Sequence, residues 1–202
     1  FVDRAVEIGN EHRVWFVDRE GRLNREYISF GADYDPIFHG RTALDVYRDY
    51  IQAFESAMGD RMGSVVSEIQ VGVGPCGELR YPSYRMEEGL WKFPGIGEFQ
   101  CFDRYLLADL KAAANDAGRP EWGTPPEQTG SYNSQPQETQ FFRNKEDGGS
   151  WVEDGSRFFA NWYSDRMIRH GEAIIASAAQ VANKYNGKVS LACKVAGIHW
   201  WY

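Results

Sequence analysis

Glu78 is the residue whose surroundings most suggest proton chemistry. It follows Gly72-Val73-Gly74-Pro75-Cys76-Gly77 at the end of a predicted strand, and Arg80, Tyr81 and Tyr84 come soon after it. A carboxyl group set among aromatic rings loses hydration, which favours its protonated form, the state a general acid needs near neutral pH. Most loop glutamates are simply solvated; the strand end and the aromatic neighbours weigh the other way. A second group closes the chain, where Lys194 stands on the polar face of another predicted strand and His199, Trp200 and Trp201 follow it. An ammonium and an imidazole that donate to hydroxyls, beside an indole that stacks on a pyranose, would make a sugar subsite. The plainer alternative is a partly buried lysine capped by aromatic rings.

Other chemistries find less support. The run Gly72–Gly77 matches the G-x-G-x-x-G pattern of dinucleotide-binding turns, which require a helix to begin there and offer its N-terminus to a pyrophosphate. Here Pro82 would interrupt such a helix and the Glu78 carboxylate would repel phosphate, so the dinucleotide reading fails. No G-x-S-x-G, Walker A or H-E-x-x-H motif is present. Cys76, Cys101 and Cys193 are too scattered for a zinc site or a disulfide framework and read as free thiols of a reducing compartment. Cys76 is expected to be a small packing residue. His12, His39 and His170 lack partners at ligand spacing and are expected to be structural.

The net charge of −7 argues against a nucleic-acid partner, because such affinity comes largely from Lys and Arg neutralising phosphates. No stretch of about 18 apolar residues exists to span a membrane. Aromatic residues make up 15% of the chain, which serves either a bulky core or a surface that stacks on flat ligands. The chain opens on Phe1 without an initiator Met and ends on the apolar run Ile198-His199-Trp200-Trp201-Tyr202. Both ends suggest a segment of a longer protein.

The elements that must position these groups can be read from spacing. Residues 1–40 read as irregular, with a turn at Asp18–Gly21. Thr42 and Asp45 form a capping-box start, behind which Leu44, Tyr47, Ile51, Phe54 and Met58 recur at helical spacing. A strand follows over Val65–Val73, with Val65, Ile69, Val71 and Val73 on one face. A helix is predicted over Gly97–Ala117, including Phe99 and Phe102, and stopped by Gly118 and Pro120. Residues 119–150, rich in Gly, Pro, Ser, Asn and Gln, read as a long loop. A long helix over Ser156–Tyr185 then leads to a strand over Val189–Val195, with Val189, Leu191, Cys193 and Val195 on one face. Two strands joined by so long a helical crossover are expected to be parallel neighbours, with the site at their carboxyl ends.

Three runs sharpen this: Val71-Gly72-Val73-Gly74-Pro75-Cys76-Gly77-Glu78-Leu79-Arg80-Tyr81-Pro82-Ser83-Tyr84, Phe93-Pro94-Gly95-Ile96-Gly97-Glu98-Phe99-Gln100-Cys101, and Lys194-Val195-Ala196-Gly197-Ile198-His199-Trp200-Trp201-Tyr202. With Phe38-His39-Gly40-Arg41-Thr42-Ala43 they resemble, collinearly over nearly the whole chain, the β-amylases of plant and algal type. The resemblance implies an α/β fold, part of a (β/α)8 barrel that takes in about its fourth and fifth strands with their helices and a long loop insertion. Residues 1–202 would then be an incomplete segment of one catalytic domain, since such a barrel needs about 250 residues or more.

The resemblance also implies an activity: hydrolysis of α-1,4-glucosidic bonds of starch-like glucans from non-reducing ends, releasing β-maltose with inversion and no metal or organic cofactor. Glu78 would be the general acid, Lys194 and His199 would bind substrate, and Tyr84 and Trp200 would wall the maltose subsites. The base that activates water would lie outside this chain. A non-catalytic glucan-binding or regulatory homologue is the rival reading. A plastid stroma or cytoplasm would be the compartment. One departure is visible: Arg85 stands where the family usually carries proline after the tyrosine, which puts the local loop geometry in question.

Overall fold

Thr42 and Asp45 close the start of the first helix as their spacing demands. In the computed structural model, which describes residues 14–197, the Asp45 amide donates to the Thr42 hydroxyl and the Thr42 amide to the Asp45 carboxylate, both at 3.0 Å. Two otherwise unpaired donors are thereby satisfied. Helix α1 runs over Ala43–Met58 and ends at Gly59, whose φ of +50° suits a residue without a side chain.

The chain divides into two compact units. One comprises Ala32–Arg80 and Met167–Ala196; the other comprises 14–31 and Tyr81–Arg166.

In the first unit, strand β3 (Glu68–Val71) pairs in parallel with β5 (Ser190–Val195), Ile69 opposite Leu191 and Val71 opposite Cys193. A second short strand, β4 (Glu78–Leu79), also pairs in parallel with β5. The alternation expected of β3 is present, with Ile69 and Val71 buried and Glu68 and Gln70 exposed. The strand is shorter than Val65–Val73, however. The amides of Val65 and Val66 both turn back to the Arg61 carbonyl, which leaves Val65 76% exposed. Val195 is also uncovered, at 64%, although it alternates in register with Leu191 and Cys193.

The core of this unit joins Ile51 of α1, Ile69, Val71 and Val73 beside the strands, and Ile174, Ala178 and Val181 of the long helix. Full burial of a side chain such as Ile174 stabilises by roughly 1.5–3 kcal/mol.

The second unit begins with a feature the sequence reading missed. Residues 14–31 are not irregular: β1 (Trp15–Val17) and β2 (Leu23–Ile28) form an antiparallel hairpin across the Asp18–Gly21 turn. The buried Asp18 carboxylate holds that turn by accepting from the Arg22 amide at 2.9 Å and from Arg22 Nε at 2.7 Å.

Helix α2 spans Arg104–Asp116 and starts later than the predicted Gly97. The Asp103 carboxylate takes the amides of Tyr105 and Leu106, which fixes the first turn there. Upstream, the amides of Glu98, Gln100 and Phe102 donate instead to Ser83 O, Tyr163 Oη and Val17 O, so residues 97–102 are committed to non-helical partners. Phe99 accordingly packs in an aromatic cluster, edge-on to Phe141, Phe159 and Tyr163 at 5.0–5.8 Å. Tyr81 and Tyr163 stack with centroids 3.7 Å apart. In this unit the aromatic excess forms core.

The stretch 119–150 has no α-helix, only 3-10 turns, yet it is tied down. Tyr132 donates its hydroxyl to buried Asp18 at 2.9 Å, and Arg19 bonds the Pro126 carbonyl at 2.5 Å. Helix α3 covers Asp154–Ala182; its residues to Arg166 belong to this unit and those from Met167 to the first. Among the described residues no helix is long and apolar enough to cross a membrane.

Candidate active site

Val71 faces Cys193 and Glu78 faces Lys194, which are successive residues of β5. Residues 72–77 are therefore an excursion out of the sheet that returns one step further along. Its two ends touch: a Cβ on Gly72 would sit 3.3 Å from the Gly77 Cα, and the Val73 amide donates to the Gly77 carbonyl at 3.2 Å. Between them Pro75–Gly77 make a single 3-10 turn, with φ of +53° at Cys76 and +79° at Gly77. The glycines of the G-x-G-x-x-G run thus close a loop. No α-helix begins there to present amides to a phosphate.

The turn delivers Glu78 to the carboxyl end of the sheet, between two cations. Lys194 Nζ lies 3.1 Å from Glu78 Oε1, and Arg80 donates through Nε to Glu78 Oε2 at 2.9 Å. Arg80 reaches the carboxylate because the chain turns at Leu79, where the Arg80 amide donates to the Glu78 carbonyl at 3.0 Å. The sequence places Arg80 near Glu78, but nothing in the local pattern announces the turn that pairs them.

Glu78 keeps a quarter of its side-chain surface exposed. The hydrogen bond from Lys194, with that from Arg80 next, holds its carboxyl below the usual carboxylate range. The expectation of a desolvated, proton-retaining glutamate is therefore corrected. Two cations at hydrogen-bonding distance outweigh the partial burial, and Tyr81, one of the aromatic residues expected to dry the carboxyl, is built into the aromatic core of its own unit, its hydroxyl donating to the Tyr163 carbonyl at 2.8 Å.

Tyr84 belongs to the other unit, 38% exposed, with its ring 5.0 Å from that of Trp91. Gly97 backs it: a Cβ there would meet Ser83 O at 2.7 Å and Tyr84 Cε1 at 2.9 Å. Trp91, which the sequence reading passed over, is oriented by its indole N–H donating to the Gly95 carbonyl at 2.8 Å. His199 and Trp200 lie outside the described residues.

Arg85, at the position of departure, has Nε and Nη1 buried without a hydrogen-bond partner among the described residues. His170 has a buried partner in Asp33, with Nδ1 2.8 Å from Oδ2. Burial pushes the Asp33 carboxyl up. Cys76 is exposed, not packed as expected; Cys101 is buried and Cys193 half-buried, and all three are free thiols. Among the described residues no group of three or more His, Cys, Asp or Glu side chains is placed to hold a metal ion.

The sequence and the fold both have recognisable relatives. The family model described as glycosyl hydrolase family 14 matches residues 5–202. The chain is 48% identical over 197 residues to "Beta-amylase 1, chloroplastic" of Arabidopsis thaliana, covering 97% of this chain and 34% of that protein. It is 46% identical over 200 residues to "Beta-amylase" of Glycine max, covering 98% of this chain and 39% of that one. In three dimensions it matches the catalytic domain of beta-amylase from Paenibacillus polymyxa with a TM-score of 0.72 at 24% identity, over 98% of this chain and 45% of that one. That likeness speaks for the fold, of which this chain shows a partial α/β segment. The chain spans little more than a third of the length of these curated relatives, and by the family match over nearly all its residues it belongs to glycosyl hydrolase family 14.

Proposed function

We propose that the protein acts as a β-amylase, cleaving α-1,4-glucosidic bonds of starch-like glucans from non-reducing ends and releasing β-maltose with inversion. One observation carries this reading. Glu78 and Lys194 stand opposite each other at the carboxyl ends of neighbouring parallel strands, where α/β barrels build their sites. In this reading residues 1–202 are part of one (β/α)8 catalytic domain, β3 with β4 supplies the fourth barrel strand, and β5 supplies the fifth.

Glu78, once protonated against the pull of Lys194 and Arg80, gives that proton to the glycosidic oxygen as the bond to the leaving glucan breaks. A second carboxylate, outside residues 1–202, takes a proton from the water that attacks the opposite face of the sugar. Such acid–base pairs stand roughly 6.5–9.5 Å apart to leave room for that water. Lys194 and His199 donate to sugar hydroxyls, and Tyr84 and Trp200 wall the maltose subsites. The chemistry uses two carboxyl groups and water, so no cofactor enters the scheme. The relatives named chloroplastic support a plastid setting.

The ionised state of Glu78 favours one other reading. A carboxylate locked between Lys194 and Arg80 suits a glucan-binding or regulatory homologue that has given up hydrolysis. A reducing-sugar assay on soluble starch with the full-length protein separates the two, and proton NMR of the first product reports its anomer. Release of β-maltose is the expected result. Glucan binding without hydrolysis would establish the rival, and α-maltose would remove the inverting mechanism.

A further inference from the structure

Within the long loop, residues 131–134 form a tight turn, closed by the Ser134 amide donating to the Ser131 carbonyl and the Ser131 amide to Ser134 Oγ, both at 3.0 Å. The turn lies against residues 95–98 of the same unit. The Ile96 amide donates to the Ser134 carbonyl at 3.0 Å, the Gly97 amide to the Tyr132 carbonyl at 3.1 Å, and the Tyr132 amide to Glu98 Oε1 at 3.1 Å. Gly95 permits the approach: a Cβ there would collide with the Tyr132 carbonyl oxygen and lie 2.7 Å from Asn133 Cα, both backbone atoms that cannot swing aside. The backbone of Asn133 is thus fixed from both of its neighbours.

Its side chain is committed to the residues on either side of Trp91. Asn133 Nδ2 donates to the Leu90 carbonyl at 2.7 Å, and the Lys92 amide donates to Asn133 Oδ1 at 2.6 Å. A carboxamide carries a donor and an acceptor side by side, so one side chain holds the peptides before and after Trp91 at once. Trp91 itself donates its amide to the Arg85 carbonyl at 2.9 Å, and its ring stands 5.0 Å from that of Tyr84, tilted by 43°. Apolar burial adds little to this stretch, for Met86 and Phe93 at its two ends are both exposed. A segment of that kind opens at low cost unless hydrogen bonds tie it down.

We propose that Asn133 is a positioning residue for the sugar wall at Tyr84: its carboxamide clasps the chain on both sides of Trp91, and Trp91 in turn holds the Tyr84 ring. The proposal rests on Tyr84 walling a maltose subsite. Without the Asn133 side chain the Leu90 carbonyl and the Lys92 amide turn to water, and the 131–134 turn stays in place on its own backbone bonds. Trp91 then gains freedom, and the Tyr84 ring has to be ordered each time a glucan binds, which costs affinity. A wall that touches the sugar alike in the ground state and the transition state changes KM and leaves kcat unaltered.

The test compares Asn133→Ala, Asn133→Asp, Tyr84→Ala and the double variant of Asn133→Ala with Tyr84→Ala in the full-length protein, reading KM and kcat on soluble starch together with Tm. Asn133→Ala should raise KM roughly 3- to 10-fold and leave kcat within about twofold. Asn133→Asp keeps the size of the side chain and an acceptor for the Lys92 amide, but sets a second acceptor against the Leu90 carbonyl. It should raise KM in the same way while Tm holds, which a loss of packing volume would not produce. In the double variant KM should match that of Tyr84→Ala, because Asn133 then has no wall left to hold. Wild-type KM in either Asn133 variant, a fall in kcat as large as the rise in KM, or rises in KM that multiply in the double variant would overturn the proposal. If Asn133→Ala does not fold, Asn133→Asp decides alone. Wild-type KM in Tyr84→Ala would remove the wall and the positioning role together. A raised KM in Tyr84→Ala beside wild-type KM in Asn133→Ala removes the positioning role alone.

Discussion

Lys194 Nζ stands 3.1 Å from Glu78 Oε1 across the seam between β4 and β5, so the residue proposed to grip substrate also holds the residue proposed to supply the proton. Lys194→Met should therefore have two effects. Glucan binding should weaken, seen as a raised KM, because a charged donor contributes on the order of 1.5–3 kcal/mol. The Glu78 carboxyl, relieved of its first cation, should also rise in pKa. Its acid form would then persist to higher pH, moving the alkaline limb of the kcat profile upward. A profile superimposable on wild type would show that the pair does not govern the proton.

The same pair has a consequence for stability. Because the folded pKa of Glu78 is depressed, the group stabilises the fold above its unfolded pKa of about 4.3. That contribution is lost as pH falls through the lower folded value. The acid unfolding midpoint of Lys194→Met should depend less on this residue; titration of a labelled glutamate carboxyl by NMR reads it directly.

Glu78→Gln keeps the shape of the side chain and removes its proton. In the full-length protein kcat should fall by at least about 10²-fold, the scale of general acid catalysis, with glucan binding retained. Activity within a few-fold of wild type would show that another group protonates the leaving oxygen.

Asp103 makes a pH prediction of the opposite sign. It caps α2 from a buried position, and burial pushes its carboxyl up to about 6. An unfolded aspartate titrates near 3.9, so between about pH 4 and 6 the folded state holds the extra proton. The stabilisation is complete below that window and lost as pH rises through it. The two-unit difference corresponds to about 3 kcal/mol. Asp103→Asn keeps an acceptor for the Tyr105 and Leu106 amides and abolishes the titration. Relative to wild type it should gain stability between pH 4.5 and 7, as read from urea midpoints, and a constant difference across that range would refute the assignment.

Thr42→Ala removes one half of the α1 capping box and should cost about 1 kcal/mol in a denaturant titration. Its effect on KM should be nil.

Thr42 and Asp45 were legible because a capping box is complete within four adjacent residues. The parallel pairing of β3 with β5 was legible because the intervening helix leaves little other choice. What escaped depends on partners far along the chain. The start of α2 is fixed by Tyr163 and Val17 drawing amides away from residues 97–102, and no local pattern announces either. The hairpin over Trp15–Ile28 was missed because Leu-Asn-Arg-Glu-Tyr-Ile does not alternate cleanly, and buried Asn24 earns its place by donating to the Pro82 carbonyl. For Glu78, the aromatic neighbours in sequence suggested a dry site, while Lys194, from the opposite end of the chain, decided its charge.

The excursion over residues 72–77 separates two quantities that a continuous strand would tie together. Val71 and Glu78 occupy adjoining steps against β5, and Gly72 and Gly77 meet at the neck. What lies beyond the neck does not enter the register. Residues could be added to or removed from the tip around Pro75 and Cys76 with Glu78 still opposite Lys194. In an ordinary strand a single inserted residue would turn the carboxyl to the far face. The face that Glu78 takes is thus set at the neck and by its pairing with β5, and not by the number of residues beyond them.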